Sequence, residues 1–240
     1  MNAEALMVPE RFGTVLGIAP GNVPVYSSDY DSADDEELPN RQAYRSHLDG
    51  IYMGYKWQCV EFARRWLYLN RGYVFDDIAM AYDIFQLRTV QVVRGDTRLP
   101  LRSFRNGSKR RPEAGALLIW DEGGEFETTG HVAVITEATP SYIRIAEQNF
   151  RNVKWPSGQS YSRQINAKVA ESGEYWLECG SSDSTILGWV MQTAHDLHAE
   201  PQVDVDPRLF DVQARELEAR PSISTSWLNI ANADEAAYVA

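Results

Sequence analysis

One helical run, followed by a series of short sheet-forming segments, limits what this chain can fold into. Cys59-Val-Glu-Phe-Ala-Arg-Arg-Trp-Leu-Tyr-Leu-Asn70 carries two adjoining apolar rows at helical spacing. Val60, Ala63 and Leu67 form one row, and Phe62, Trp66 and Leu69 form the other. Two such rows predict a largely buried helix from about Trp57 to Asn70, with Gly72 as its stop. A second helix is predicted from just after Asp76 to about Val93, because Asp76 and Asp77 suit a helix N-terminus. Residues 102–112 read as a polar, basic loop. From Gly115 the period changes. Segments 115–121, 131–137, 142–147, 174–179 and 185–192 are short, β-branched or aromatic, and bounded by turn residues. Helices first and an antiparallel sheet after give an α+β class. Ahead of the helix, residues 11–20 and 23–26 are extended segments cut by Gly and Pro, and residues 32–37 form an acidic loop.

The chain of 240 residues is long enough for one large domain or one domain with an appendage. The domain is expected over residues 12–195 and a linker-like tail over 196–240, where 199–208 are acidic with two prolines and 211–219 suit a short helix. The net charge of −11 argues against nucleic acid as a partner, since phosphate contacts need clustered Lys and Arg. It suits a cationic one. The start lacks the basic and apolar regions of a secretory signal, and no stretch is long and apolar enough to span a membrane. With only two cysteines, Cys59 and Cys179, the expected location is the reducing cytoplasm.

Cys59 opens the helix, where the macrodipole favours thiolate over thiol. His131 and Glu147 follow on two later strands. An imidazole can take and return the thiol proton, and a carboxylate can hold it in one tautomer. If the turn lies near Thr139-Pro140, His131 stands opposite Glu147, Ala133 opposite Ile145 and Ile135 opposite Ile143. That face is expected to pack on the Cys59 helix. A glutamate inside an apolar strand needs a partner, because an unpaired buried carboxylate is costly. Helix, histidine strand and carboxylate strand come in the chain order of papain-like thiol hydrolases. Around them, the Cys59 N–H is the natural first oxyanion donor, and Gln58 either donates to an oxyanion or caps the helix. Arg64 is expected to lean to the cleft and hold a substrate carboxylate, and Arg65 to lie at the surface. Gly130 would let substrate backbone approach closely, Asn149 follows Glu147 on its side of the strand, and Trp120 with Asp121 would form a cleft wall. His47, His195 and His198 have no evident partner, and Cys59 with His131 is too few ligands for zinc.

Trp57-Gln-Cys-Val-Glu-Phe62, Gly130-His-Val-Ala133 and Glu147-Gln-Asn149 resemble the motifs of the CHAP amidases, cysteine- and histidine-dependent enzymes of papain-like fold. Val25-Tyr-Ser-Ser-Asp29, Asn106-Gly-Ser108, Ala114 to Asp121, Gly123-Gly-Glu-Phe126 and Thr185-Ile-Leu-Gly-Trp189 also resemble one branch, the amidase domain of glutathionylspermidine synthetase/amidase. The resemblance implies cleavage of the amide joining the glycine carboxyl of glutathione to spermidine. Cys59 would be the nucleophile, His131 the base and Glu147 the orienting carboxylate, with no cofactor or metal. Family members continue into an ATP-dependent synthetase domain. The tail here resembles its lead-in, so hydrolysis without synthesis is expected, with a separate synthetase as a possible partner. Two other readings stand beside this one: a peptidoglycan amidase or endopeptidase, as many CHAP proteins are, and a non-catalytic module that binds a polyamine conjugate.

Overall fold

The structure is a computed structural model that describes residues 8–194. Within it the chain forms, in order, β1 (Val15–Ala19), β2 (Val23–Tyr26), β3 (Arg45–Leu48), β4 (Ile51–Tyr55), α1 (Cys59–Arg71), β5 (Tyr73–Val74), β6 (Thr89–Val92), β7 (Arg98–Arg105), β8 (Leu117–Trp120), β9 (His131–Ala138), β10 (Tyr142–Ala146), β11 (Arg163–Val169), β12 (Tyr175–Leu177) and β13 (Ile186–Gln192). The class is α+β. Nine strands make one sheet in the order β12-β11-β10-β9-β8-β13-β7-β6-β5, antiparallel throughout. β1 with β2 and β3 with β4 are separate hairpins. No helix among the described residues is long and apolar enough to cross a membrane. The expected tail, its helix over 211–219, and His195 and His198 lie outside the described residues.

The central strands β8 and β9 are buried on both faces, and their side chains alternate between two cores. Leu117, Ile119, Val132 and Val134 join α1 residues Phe62, Ala63, Trp66 and Leu67 in the first. Leu118, Trp120, Ala133 and Ile135 join Ile143, Ile145, Tyr175 and Trp189 in the second. The sheet wraps the second core: Gly107 N–H donates to the Tyr175 carbonyl, and Tyr175 N–H donates to Ser108, both at 2.9 Å. Each large apolar side chain fully buried this way contributes about 1.5–3 kcal/mol.

α1 ends where the sequence predicts. Gly72 takes a left-handed φ of 69° and its N–H caps the Tyr68 carbonyl. Leu69 departs from its expected row and is half exposed. The second predicted helix does not form. Ala81–Gln86 make a 3-10 turn that buries Ala81 and Ile84, and the β-branched run that follows becomes β6. Thr89, Val90 and Val92 lose rotamer freedom in a helix; in the sheet Thr89 and Val90 gain partners on β7, and Val92 gains one on β5. β7 also replaces the start of the expected basic loop.

Two further expectations are corrected at β9 and β10. A bulge at Arg144/Ile145 pairs Ile145 with Ile135 rather than Ala133, and Ile143 with Ala138 rather than Ile135. At the end nearest Glu147 the slip is by two residues, so parity survives and His131 meets Glu147 diagonally on one face. That face does not pack on α1. The helix takes the opposite face, through Val132 and Val134. An unbroken apolar run such as Val132-Ala-Val-Ile135 carries no alternation to say which face receives the helix.

Candidate active site

Cys59 is the first residue of α1 and is buried. Gln58 occupies the N-cap position without a side-chain capping bond, so first-turn N–H groups stay available. The Val60 N–H and, from the start of β9, the Val132 N–H both point to the Cys59 sulfur. The His131 imidazole bonds it as well. Burial pushes the thiol up. The charge and hydrogen bond of His131, with the two backbone donors, outweigh this and hold Cys59 below an ordinary thiol.

His131 opens β9 and reaches around the strand end to the thiol. Its Nε2 lies 2.9 Å from Glu147 Oε2, which leaves Nδ1 for Cys59. Phe126 stacks on the ring at 4.6 Å and 5°, and Trp120 packs at 5.4 Å. Burial pushes the imidazole down, but Cys59 and then Glu147 raise it to about 9. Glu147 sits just past β10, almost wholly buried. Burial would raise its carboxyl. Arg163, His131 and Ser162 reverse the effect and hold it at about 2. A lowered thiol, an imidazole raised to about 9 and a carboxylate held at about 2 favour thiolate, imidazolium and carboxylate in one hydrogen-bonded line. Such a line can deliver a nucleophile and return a proton to a leaving amine.

Neighbouring residues are placed less as expected. Gln58 does not cap α1. Its Oε1 accepts from Asn149 Nδ2 at 2.6 Å and its Nε2 donates to the Tyr30 hydroxyl at 3.3 Å. Asn149, at φ 60°, also accepts from Ser28 Oγ at 2.6 Å, so it braces the loop after Glu147. Arg64 is not in a cleft. Its guanidinium is buried and donates to the Phe75 carbonyl and, at 2.8 Å, to that of Tyr52. Arg65 is not at the surface either. It donates to Glu61 Oε1 at 2.7 Å, and both are buried. Gly130 has a conformational task rather than open space for substrate. Its φ is +62°, and a Cβ would stand 2.6 Å from the Trp120 carbonyl. Trp120 walls His131 itself, and burial raises the Asp121 carboxyl beside it.

Arg163 and Ser162 carry no signal in the sequence pattern, and Gln148 stands out there only as part of the Glu147-Gln-Asn149 motif. Arg163 opens β11, a strand not anticipated, although Ile165, Ala167 and Val169 alternate with polar residues as a strand should. Gln148, also buried, accepts from Arg65 at 3.0 Å and donates to Glu61 at 2.9 Å.

Residues 50–149 match the model of the CHAP domain. Over 228 residues, 95% of this chain, the sequence is 48% identical to the bifunctional glutathionylspermidine synthetase/amidase of Escherichia coli K12, and equally to that of Shigella flexneri. It is 32% identical over 239 residues to trypanothione synthetase of Crithidia fasciculata, covering 95% of this chain and 35% of that protein. The chain spans 37% of the length of the two bacterial relatives. The matched span contains Cys59, His131 and Glu147, so all three residues of the bonded line fall within the part of the chain that matches a CHAP domain.

Proposed function

We propose that the chain is a cysteine amidase that hydrolyses glutathionylspermidine to glutathione and spermidine. The observation that carries this reading is the bonded line Cys59–His131–Glu147 at the N-terminus of α1. The relatives' names supply the substrate. The Cys59 thiolate attacks the amide carbonyl carbon, and its electron pair moves onto the oxygen. The Cys59 N–H faces that oxygen as a donor, since a first-turn N–H has no partner within the helix. The imidazolium of His131 gives its Nδ1 proton to the departing amine, leaving a thioester. Neutral His131 then takes a proton from water. The hydroxide adds to the thioester, and collapse releases the glycine carboxylate and restores the thiolate. Glu147 stays ionised throughout and keeps the ring oriented.

A thiol on the helix and its histidine on the sheet support a papain-like arrangement. The amidase domain is inferred to run over residues 12–195, since β1 begins at Val15 and β13 ends at Gln192. A synthetase, fused or separate, is the inferred partner, because the relatives' names join the two activities. The chain's net charge of −11 suits a polyamine-bearing substrate.

The test is mass spectrometry of the chain mixed with glutathionylspermidine without ATP. Glutathione and spermidine should appear, and Cys59→Ala should abolish turnover while leaving the circular dichroism unchanged. Full turnover by Cys59→Ala, or an untouched substrate with reduced Cys59, would overturn the reading.

A further inference from the structure

We propose that Arg163 is a positioning residue for this site: by holding both oxygens of Glu147 it fixes the carboxylate against His131, and by its positive charge it sets the pH range in which the Cys59–His131 pair works. The proposal rests on the amidase reading for the reaction, but its geometry does not depend on the substrate.

Arg163 Nε donates to Glu147 Oε1 at 2.8 Å and Nη2 donates to Oε2 at 3.1 Å. Ser162 Oγ lies 2.7 Å from Oε1 and also 2.9 Å from the Ile145 carbonyl. With His131 Nε2 on Oε2, each carboxylate oxygen has two neighbours at hydrogen-bond distance. Two oxygens held this way leave the carboxylate little freedom to rotate away from His131. The guanidinium is itself held between rings. It lies 3.9 Å from the centroid of Phe150 and 5.2 Å from that of Trp120. These two rings also flank His131, at 6.2 and 5.4 Å. Arginine and histidine thus share one carboxylate and two aromatic walls. A lysine would supply the charge but not the fork.

The charges that act on this cluster come from three elements. Cys59 belongs to α1, His131 to β9, and Arg163 to β11. The outer side of Arg163 borders a cavity of about 220 Å³, where Glu125 and Glu178 also lie. A positive charge favours the deprotonated form of every group it faces. Removing it should therefore raise the titrations of Cys59 and His131 together. Glu147 would also rise, by about 1–3 units from its low value, and stay ionised at neutral pH.

The experiment measures the rate of Cys59 alkylation by iodoacetamide against pH, by mass spectrometry, in a Cys179→Ser background that removes the second thiol. Wild type, Arg163→Gln and Arg163→Lys are compared, with circular dichroism as the folding control. Arg163→Gln should move both transitions to higher pH by about one unit. Arg163→Lys should keep them near their wild-type positions. If Arg163→Gln does not fold, Arg163→Met is the neutral variant, since its side chain fills the space between Trp120 and Phe150. Transitions that stay in place in the neutral variant, whatever happens to the rate or the melting temperature, would overturn the proposal. Because no substrate is used, a shift without glutathionylspermidine turnover would sink the amidase reading alone. Turnover without a shift would sink this proposal alone.

Discussion

Burial and charge pull against each other at Cys59, His131 and Glu147, and at each residue the charged partners win. The outcome ties stability to pH. Glu147 is lowered from an ordinary 4.5 to about 2, so its contribution is fully present above 4.5 and is lost as pH falls through about 2. His131 is raised from 6.5 to about 9, so its contribution is present below 6.5 and is lost as pH rises through about 9. In urea unfolding, the difference between wild type and Glu147→Gln should therefore shrink as pH falls from 4.5 to about 2. A difference that stays constant across that window would show that Glu147 is not held ionised by its partners. The three members of the line were legible as residue types in chain order. Arg163 was not, because an arginine at a strand start becomes informative only when its long-range partner is known.

At the scale of elements, α1 is anchored by more than its apolar rows. Glu61, fully buried, accepts from Ser46 at 2.9 Å, Arg65 at 2.7 Å and Gln148 at 2.9 Å. Arg65 also donates to the Pro24 carbonyl at 2.9 Å, and Gln148 accepts from Tyr26 N–H at 2.9 Å. One network thus joins the first turns of α1 to β2, β3 and the segment after β10, and fixes the thiol relative to Glu147. Arg65→Met would leave Glu61 buried without its cation and should cost about 3–5 kcal/mol in chemical unfolding. Leu69→Ala on the half-exposed side of the same helix should stay within about 0.5 kcal/mol. Equal losses for the two variants would contradict the network. The helix period revealed α1, but Arg64 and Arg65 look alike in a helical pattern, and only tertiary partners bury them.

For the whole molecule, closure of the sheet around the second core demands close backbone approach. Gly188 on β13 has a φ of 143°, and a Cβ there would stand 2.0 Å from the Phe104 carbonyl of the neighbouring β7. β13 is paired on both sides, to β8 and to β7, so the backbone cannot yield at low cost. Gly188→Ala should destabilise the protein by about 2–4 kcal/mol, read as a lowered melting temperature. An unchanged melting temperature would mean that the sheet relaxes freely at this point. The sequence by itself determined α1 and its stop, the α+β class, and the order of thiol, imidazole and carboxylate, because each depends on spacing along a few turns or one strand. The tertiary structure alone decided which face of β9 receives the helix, the two-residue slip in its pairing with β10, the fate of residues 76–93, and the grip of Arg163 on Glu147. Those features are set by strand pairing and ion pairing between distant segments, whose energies local periodicity does not report.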